Sequence, residues 1–401
     1  MSFTPKRLAI KLKPAAQRMV KKGHPWVFEG GITKQSAEGQ AGDLAIIYDN
    51  KKNNFLACGL YDPHSPIRIK ILQVHQSATI DKAWFAQKIT LAKEKRTPLL
   101  NTDTNSYRLI YGENDGLPSL IADVYDHILV IKLYAATWLP YLDTLLPLLQ
   151  EQSQCTVGVL RLSRSLAPIA QQQGWLEGQV LYGNLDKEVV VFREHGIRFS
   201  ANVIHGHKTG YFLDHRHNRL KVGKLAKGKT LLDVFAYAGG FSVHALAQGA
   251  IAVSSLDISA QALAMAQANA ALNPHEGKHE ILAVDAFKGL EKLLQQGQQY
   301  DIVVIDPPSF AKKESEVTGA LHSYQRLAAL GVRLVSTGGL LVLASCTARI
   351  AANLFFETVE RTLHQSGKTI QLLEKTYHDV DHPIGFPEGA YLKCGYYKIS
   401  Q

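Results

Sequence analysis

From Gly196 onward the chain alternates β-rich apolar runs with helical stretches: TLLDVF, FSVHALAQ, AVSSLD, AQALAMAQANAAL, HEILAVD, LEKLLQQ, DIVVID, LHSYQRLAALGVRLVS, GGLLVLASC, NLFFETVERTLHQ, TIQLLEKTY and AYLKCGYYKI. This alternation restricts the fold more than any other feature. Strands joined through helices run parallel, and a parallel sheet needs helices over both of its faces. A doubly wound α/β sheet is therefore expected. The last two strands have no helix between them, so they should form an antiparallel hairpin at one edge. In the common strand order of this fold the first strand is central, with the fourth and fifth side by side, about 4.8 Å apart.

The preceding part reads differently. Residues 5–75 hold short strands (LAIKLK, WVFEGGI, GDLAIIYD, FLACGLY, PIRIKIL) between Gly, Asn, Asp and Pro turn signals, which predicts a small all-β barrel. Residues 76–190 mix a helix over about 81–95, the loop LLNTDTNS, strands at SLIADVYD and HILVIKLY, a helix near LPYLDTLLPLLQ and strands TVGVLRLS and EVVVFRE, an α+β pattern. Three domains are expected, 1–75, 76–190 and 191–401, as the length of 401 residues allows. No window approaches the roughly 18 unbroken apolar residues of a membrane span, and the start lacks the apolar core of a signal peptide. A cytoplasmic address is expected. Cys58, Cys155, Cys346 and Cys394 form no CxxC pair, which argues against zinc and a disulfide framework.

Charge is unevenly spread: +7 over residues 1–75, −2 over 76–190 and +4 over 191–401. Residues 1–22 carry seven basic side chains and no acid, and Arg198 to Lys229 carry eight against Asp214 alone. Clustered cations suit a polyanion, because neutralised phosphates release counterions. A basic surface serving only solubility is the other reading.

The strand ends carry the chemistry. LLDVFAYAGGFSVHALAQGA reads as strand, small-residue turn and helix, with Gly239 and Gly240 allowing a ligand close to the helix N-terminus. It is not GxGxxG, since Tyr237 and Ala238 occupy the turn, and this weakens a dinucleotide reading. Asp233, Asp257 and Asp285 close three successive strands and are expected to face the switch-point crevice, where an acid at the second strand can accept two ribose hydroxyls. The fourth strand runs into Asp306-Pro307-Pro308, whose prolines fix the backbone after the acid. The fifth ends at Cys346, beside Asp306 in the expected order, and a helix start following Thr-Ala-Arg should lower its thiol pKa. Cys58 and Cys394 read as inert core residues.

With these motifs in order, the chain resembles the class I S-adenosylmethionine-dependent methyltransferases. More narrowly it resembles the bacterial large-subunit ribosomal RNA 5-methylcytosine methyltransferases that carry an N-terminal PUA domain. KKGHPWVFEGGI and YDPHSPIRIKIL are similar to that PUA domain, GENDGLPSLIADVYDHILVIKLY to the family's central domain, and KTGYFLDHRHNR, DVFAYAGG, DPPSF, ASCT and HPIGFPEGAYLKCGYYKI to its catalytic domain. The resemblance implies S-adenosylmethionine as cofactor, ribosomal RNA as partner, and no membrane. It also implies that Tyr211, Phe212, Asp214 and the turn Asp233, Phe235, Ala236, Tyr237, Gly239 and Gly240 line the cofactor pocket. Asp257 would hold ribose and Asp285 adenine. Asp306 would lie at the target base, Pro307, Pro308, Ser309 and Phe310 at the substrate, and Cys346 would be the nucleophile. ASCT departs mildly from the family, with Thr347 where Ser is expected.

Carbon 5 of cytosine is a poor nucleophile until a thiolate adds at carbon 6. No metal is needed, because a sulfonium already carries the leaving group. The base that removes the carbon 5 proton is not identified. His205, His207, His215 and His217 lie in or near the basic segment and read as surface or capping residues. A methyltransferase acting on a base nitrogen such as guanine N7, which needs no thiol, and a non-catalytic RNA-binding assembly factor remain alternatives. A nicotinamide dehydrogenase is a remote third.

Overall fold

The computed structural model describes residues 3–400. The chain divides into two compact units, Met1–Arg193 with Ser200–Leu213 and Val380–Phe386, and Glu194–Phe199 with Asp214–Asp379 and Pro387–Gln401. The short segment Val380–Phe386 thus leaves the C-terminal part and joins the first unit, which linear reading did not anticipate.

In the first unit, six strands form one sheet in the order Trp26–Phe28, Ile67–Val74, Phe55–Tyr61, Leu44–Tyr48, Arg7–Leu12, Ile32–Gln35. All neighbours are antiparallel except Arg7–Leu12 with Leu44–Tyr48. A helix, Pro14–Lys21, interrupts the expected run of strands, and its proline at the first turn is a helix-start signal. A five-stranded sheet follows, ordered Val180–Tyr182, Val157–Leu162, Ile128–Leu133, Leu120–Tyr125, Ser106–Tyr111. Its outer strand Ser106–Tyr111 comes directly after the expected loop. The helix Lys82–Lys95 starts where the Asp81 carboxylate accepts from Trp84 N (2.9 Å). Leu44, Leu60 and Leu72 share one buried cluster with Trp84, Phe85, Trp138 and Tyr141, and the Tyr141 hydroxyl donates to the Gly42 carbonyl (2.8 Å). The two sheets therefore have a common core.

The second unit holds the doubly wound sheet. Its strands are β1 (Thr230–Val234), β2 (Ala252–Asp257), β3 (Lys278–Ala283), β4 (Tyr300–Ile305), β5 (Val335–Ser345), β6 (Thr369–Thr376) and β7 (Lys393–Ser400). The helices are α1 (Arg216–Leu225), α2 (Gly240–Ala247), α3 (Ala260–Ala271), α4 (Ala286–Gln295), α5 (Val317–Leu334) and α6 (Ala352–His364). The sheet order is β3-β2-β1-β4-β5-β7-β6, parallel throughout except for β7, which pairs antiparallel with both neighbours. The runs Ile302–Ile305 and Leu340–Leu343 are almost wholly buried, as strands covered on both faces must be. The switch point lies between β1 and β4. Val234 pairs with Ile305 and Ile305 with Leu343, so the loops after β1, β4 and β5 leave one end of the sheet together.

Candidate active site

After β1 the chain turns through Phe235 and Tyr237, both left-handed (φ +66° and +47°), into α2. Non-glycine residues there store strain, which concentrates at functional sites. Gly239 is also left-handed (φ +77°), and a Cβ on it would come within 2.8 Å of the Ala266 Cβ. Only glycine fits. The Asp257 carboxylate accepts from Tyr237 N and Ser259 N, each at 2.9 Å, one per oxygen. It is half-buried, and each oxygen retains a lone pair, which fits a vicinal diol. Beside it Ile258 is 74% exposed, apolar surface suited to the face of a flat ring. Sequence reading passed over Ile258, because a single Ile after a strand looks like more strand.

Asp285 caps α4, accepting from Lys288 N (3.1 Å), and stays half-buried. Asp233 differs from the expectation that all three acids face the crevice. It is 1% exposed and accepts from both N and Oγ of Ser242 (3.1 and 2.7 Å). The reason is register: Asp233 lies opposite Ser255, two residues short of Asp257. Burial pushes its carboxyl up to about 7. Tyr211 is buried in the first unit, its amide donating to the Tyr125 hydroxyl (3.1 Å) and its ring edge-on to Phe192, while Phe212 is exposed. Asp214 belongs to the second unit and accepts from the Tyr391 hydroxyl (2.7 Å).

Asp306 follows β4 with a quarter of its side chain exposed. Pro307 is buried, Pro308 and Ser309 are exposed, and the Phe310 ring packs edge-on to Tyr324. Cys346 follows β5 and is partly exposed, whereas Cys58, Cys155 and Cys394 are buried. Its Sγ donates to the Pro307 carbonyl at 3.6 Å. The thiol and the DPP segment therefore adjoin. Thr347 Oγ1 accepts from Phe310 N (3.3 Å) and bonds the Tyr324 hydroxyl (2.9 Å), which also reaches Ser345 Oγ (2.8 Å). A serine oxygen could do the same, so the departure at Thr347 keeps the tie. Lys393, 1% exposed, donates to the carbonyls of Thr347 (2.6 Å), Ile350 (2.7 Å) and Tyr391 (3.2 Å), which pins the segment after Cys346. Burial lowers this lysine to about 8.

One expectation is corrected. The Cys346 thiol is not lowered but pushed up to about 12, first by burial and then by the carboxylates of Asp306 and Asp214. Helix α6 begins only at Ala352, so no helix N-terminus adjoins the sulfur to oppose them.

His215 is neither a surface residue nor a side-chain cap. It is buried, with Nε2 3.4 Å from Asp306 Oδ1, an ion-pair distance without the alignment of a hydrogen bond. Asn218 Nδ2 lies 3.1 Å from its Nδ1, and Asn218 Oδ1 accepts from Thr376 Oγ1 (2.7 Å) and the Tyr396 hydroxyl (2.8 Å). Burial lowers His215 and the Asp306 charge raises it, and the carboxylate prevails. His217 is held down at about 4 by burial. His205 is exposed near Glu188 (3.6 Å).

Nor is the basic segment all surface. Arg216 and Arg219 are buried, Arg219 donating twice to Glu194 (2.7 Å each) and Arg216 pairing with Asp379 (3.2 Å). These two cannot meet phosphate, whereas Arg198, Lys208, Lys224, Lys227 and Lys229 are exposed.

A doubly wound sheet with a strained glycine turn at the switch point and an acid closing the next strand fits a nucleoside-binding enzyme of the S-adenosylmethionine-dependent methyltransferase class. The family model for S-adenosylmethionine-dependent methyltransferases matches residues 118–388, and that for PUA-like domains matches residues 10–73. The chain belongs to this methyltransferase family, and S-adenosylmethionine is its cofactor. It is 42% identical over 394 residues (97% of this chain, 96% of the relative) to a ribosomal RNA large subunit methyltransferase of Deinococcus radiodurans. It is 33% identical over 392 residues (96% and 98%) to ribosomal RNA large subunit methyltransferase I of Aliivibrio fischeri. Among solved structures, a Streptococcus mutans protein assigned to the SAM-dependent methyltransferases superposes with a TM-score of 0.81 at 21% identity, covering 97% of this chain and 99% of that one. A second methyltransferase structure, complexed with SAH, gives 0.80 at 20% identity over 98% and 100%. No helix among the described residues is long and apolar enough to cross a membrane.

Proposed function

We propose that this chain methylates large-subunit ribosomal RNA, and that the target is carbon 5 of a cytosine attacked through a covalent adduct at Cys346. The relatives named above act on large-subunit ribosomal RNA and align over nearly the whole chain, which supports the substrate class. The observation that carries the carbon 5 reading is the partly exposed thiol at the end of β5, its Sγ 3.6 Å from the carbonyl that follows Asp306. Nitrogen methylation has no use for such a thiol.

The bound cofactor supplies an electrophilic methyl group on a sulfonium. In this reading Asp257 takes the ribose hydroxyls, with Ile258 and Asp285 at the adenine, and the turn from Phe235 to Gly240 forms the wall beneath. Asp306 binds the N3/N4 edge of the cytosine. A carboxylate engaged by the base no longer holds the neighbouring thiol protonated to the same degree, so substrate binding favours the thiolate. Sγ, its proton passed to solvent, then bonds to carbon 6, and carbon 5 becomes enamine-like and accepts the methyl group. Loss of the carbon 5 proton and cleavage of the S–C6 bond restore the aromatic ring and the free thiol. Pro308, Ser309 and Phe310 continue the surface along which the base lies.

The test is RNA carrying 5-fluorocytosine at the target. Fluorine cannot leave as a cation, so the methylated adduct should persist on Cys346 through a denaturing gel. Cys346→Ala should give neither adduct nor 5-methylcytosine while still binding S-adenosylmethionine. Methylation at near wild-type rate by Cys346→Ala would make a nitrogen target the better reading.

A further inference from the structure

We propose that His215 is the positioning residue of the reaction: its Nε2–H fixes the Asp306 carboxylate for the substrate base, and Asn218 keeps the proton on that nitrogen. The inference rests on the reading of Asp306 as the group that meets the base.

Asn218 is fully buried at the start of α1. Its Oδ1 accepts two hydroxyl protons, from Thr376 at the end of β6 and from Tyr396 in β7. That fixes which way the amide points, since the oxygen is already engaged twice. The Nδ2 group therefore faces His215 and donates to its Nδ1. A proton on Nδ1 would face the Asn218 N–H group, so this nitrogen stays bare although Asp306 favours the charged ring, and the imidazole carries its proton on the other nitrogen. The proton lies on Nε2, which has no hydrogen-bond partner and stands 3.4 Å from Asp306 Oδ1. A small movement of the partly exposed carboxylate, such as an incoming base would impose, closes that gap into a charge-assisted bond. Oδ1 is then held by the protein, and the other oxygen is left to the substrate. The remaining groups around the imidazole are Asp214, Arg219 and His217, with the Phe241 ring edge-on at 5.6 Å. Of the two carboxylates, Asp306 acts on it more strongly.

A histidine buried only to fill space would not need this chain of donors. Three variants separate the readings: His215→Phe keeps the volume and removes both nitrogens, His215→Gln retains an N–H near the Nε2 position, and Asn218→Leu releases the tautomer. Methyl groups transferred from labelled S-adenosylmethionine are counted whatever base receives them, so failure of the carbon 5 reading shows in the product, not in this rate. His215→Phe should lose at least about tenfold in kcat, as loss of an oriented charge-assisted bond does, with the S-adenosylmethionine Kd within twofold of wild type. His215→Gln should recover a substantial part of that loss. Two-bond proton–nitrogen NMR should find Nδ1 of His215 bare in the wild type and a mixture of tautomers in Asn218→Leu. The proposal is overturned if His215→Phe keeps wild-type kcat, if His215→Gln is as impaired as His215→Phe, or if the wild-type proton resides on Nδ1.

Discussion

A thiol proposed as a nucleophile but held protonated at rest should be slow towards ordinary alkylating agents, and the delay can be worked out. Burial and the carboxylates of Asp306 and Asp214 place Cys346 at about 12, against 9.0 for the unperturbed thiol. A rise from 9.0 to about 12 cuts the thiolate fraction at neutral pH about a thousandfold. The thiolate that does form is the more basic, and a Brønsted slope of about 0.45 returns roughly twentyfold in intrinsic nucleophilicity. The balance is alkylation about 50-fold slower than that of an unstructured cysteine peptide. The assay is iodoacetamide treatment of the free protein at pH 7.5, with the adduct at Cys346 quantified by mass spectrometry. The pH series separates ionisation from access: the rate at Cys346 should still rise about tenfold per unit beyond pH 9, where the peptide levels off. Asp306→Asn removes the larger of the two carboxylate causes and should accelerate alkylation. A rate at pH 7.5 equal to the peptide's, or an early plateau, would refute the reasoning and mean that the thiolate is preformed.

Other perturbations probe the rest. Asp257→Ala should weaken S-adenosylmethionine binding by about 1–3 kcal/mol in calorimetry, because charge-assisted bonds to the ribose are lost; unchanged affinity would place the cofactor elsewhere. Glu194→Gln should destabilise the fold by about 3–5 kcal/mol in urea titration, since Arg219 would be left buried without its counter-charge, whereas Arg216 keeps Asp379. Burial pushes the Glu194 carboxyl up but Arg219 outweighs it and holds it well below 4.5. Its stabilisation is thus present above that value and lost as pH falls, an acid dependence the variant should lack. Replacing Lys13, Arg18, Lys21 and Lys22, all exposed, by Gln should reduce the slope of log affinity for RNA against log salt by up to about 0.9 per lost phosphate contact. An unaltered slope would show those charges idle. Substitution is the proper test, since removing residues 1–75 would strip Leu44, Leu60 and Leu72 from the core they share with Trp84 and Trp138.

What the sequence revealed and what it hid follow one physical division. Strand order and the adjacency of Asp306 and Cys346 were legible because buried parallel strands are continuous apolar runs, and strand ends mark where chemistry can sit. Burial of charge was not legible. Arg216 and Arg219 count as basic residues in any composition, yet Asp379 and Glu194, both more than twenty positions away, absorb them. The same blindness misjudged Cys346, whose following residues suggested an activating helix that in fact starts at Ala352. His215 is the sharpest case. Its setting depends on Thr376 and Tyr396, 158 and 178 residues from Asn218, and no local pattern encodes that meeting. The Asp306 carboxylate raises both the thiol and the histidine. It lies 3.4 Å from the His215 Nε2, so a base that engages Asp306 alters both at once. Nucleophile activation would then be tied to substrate arrival, which keeps a reactive sulfur quiet in the free enzyme.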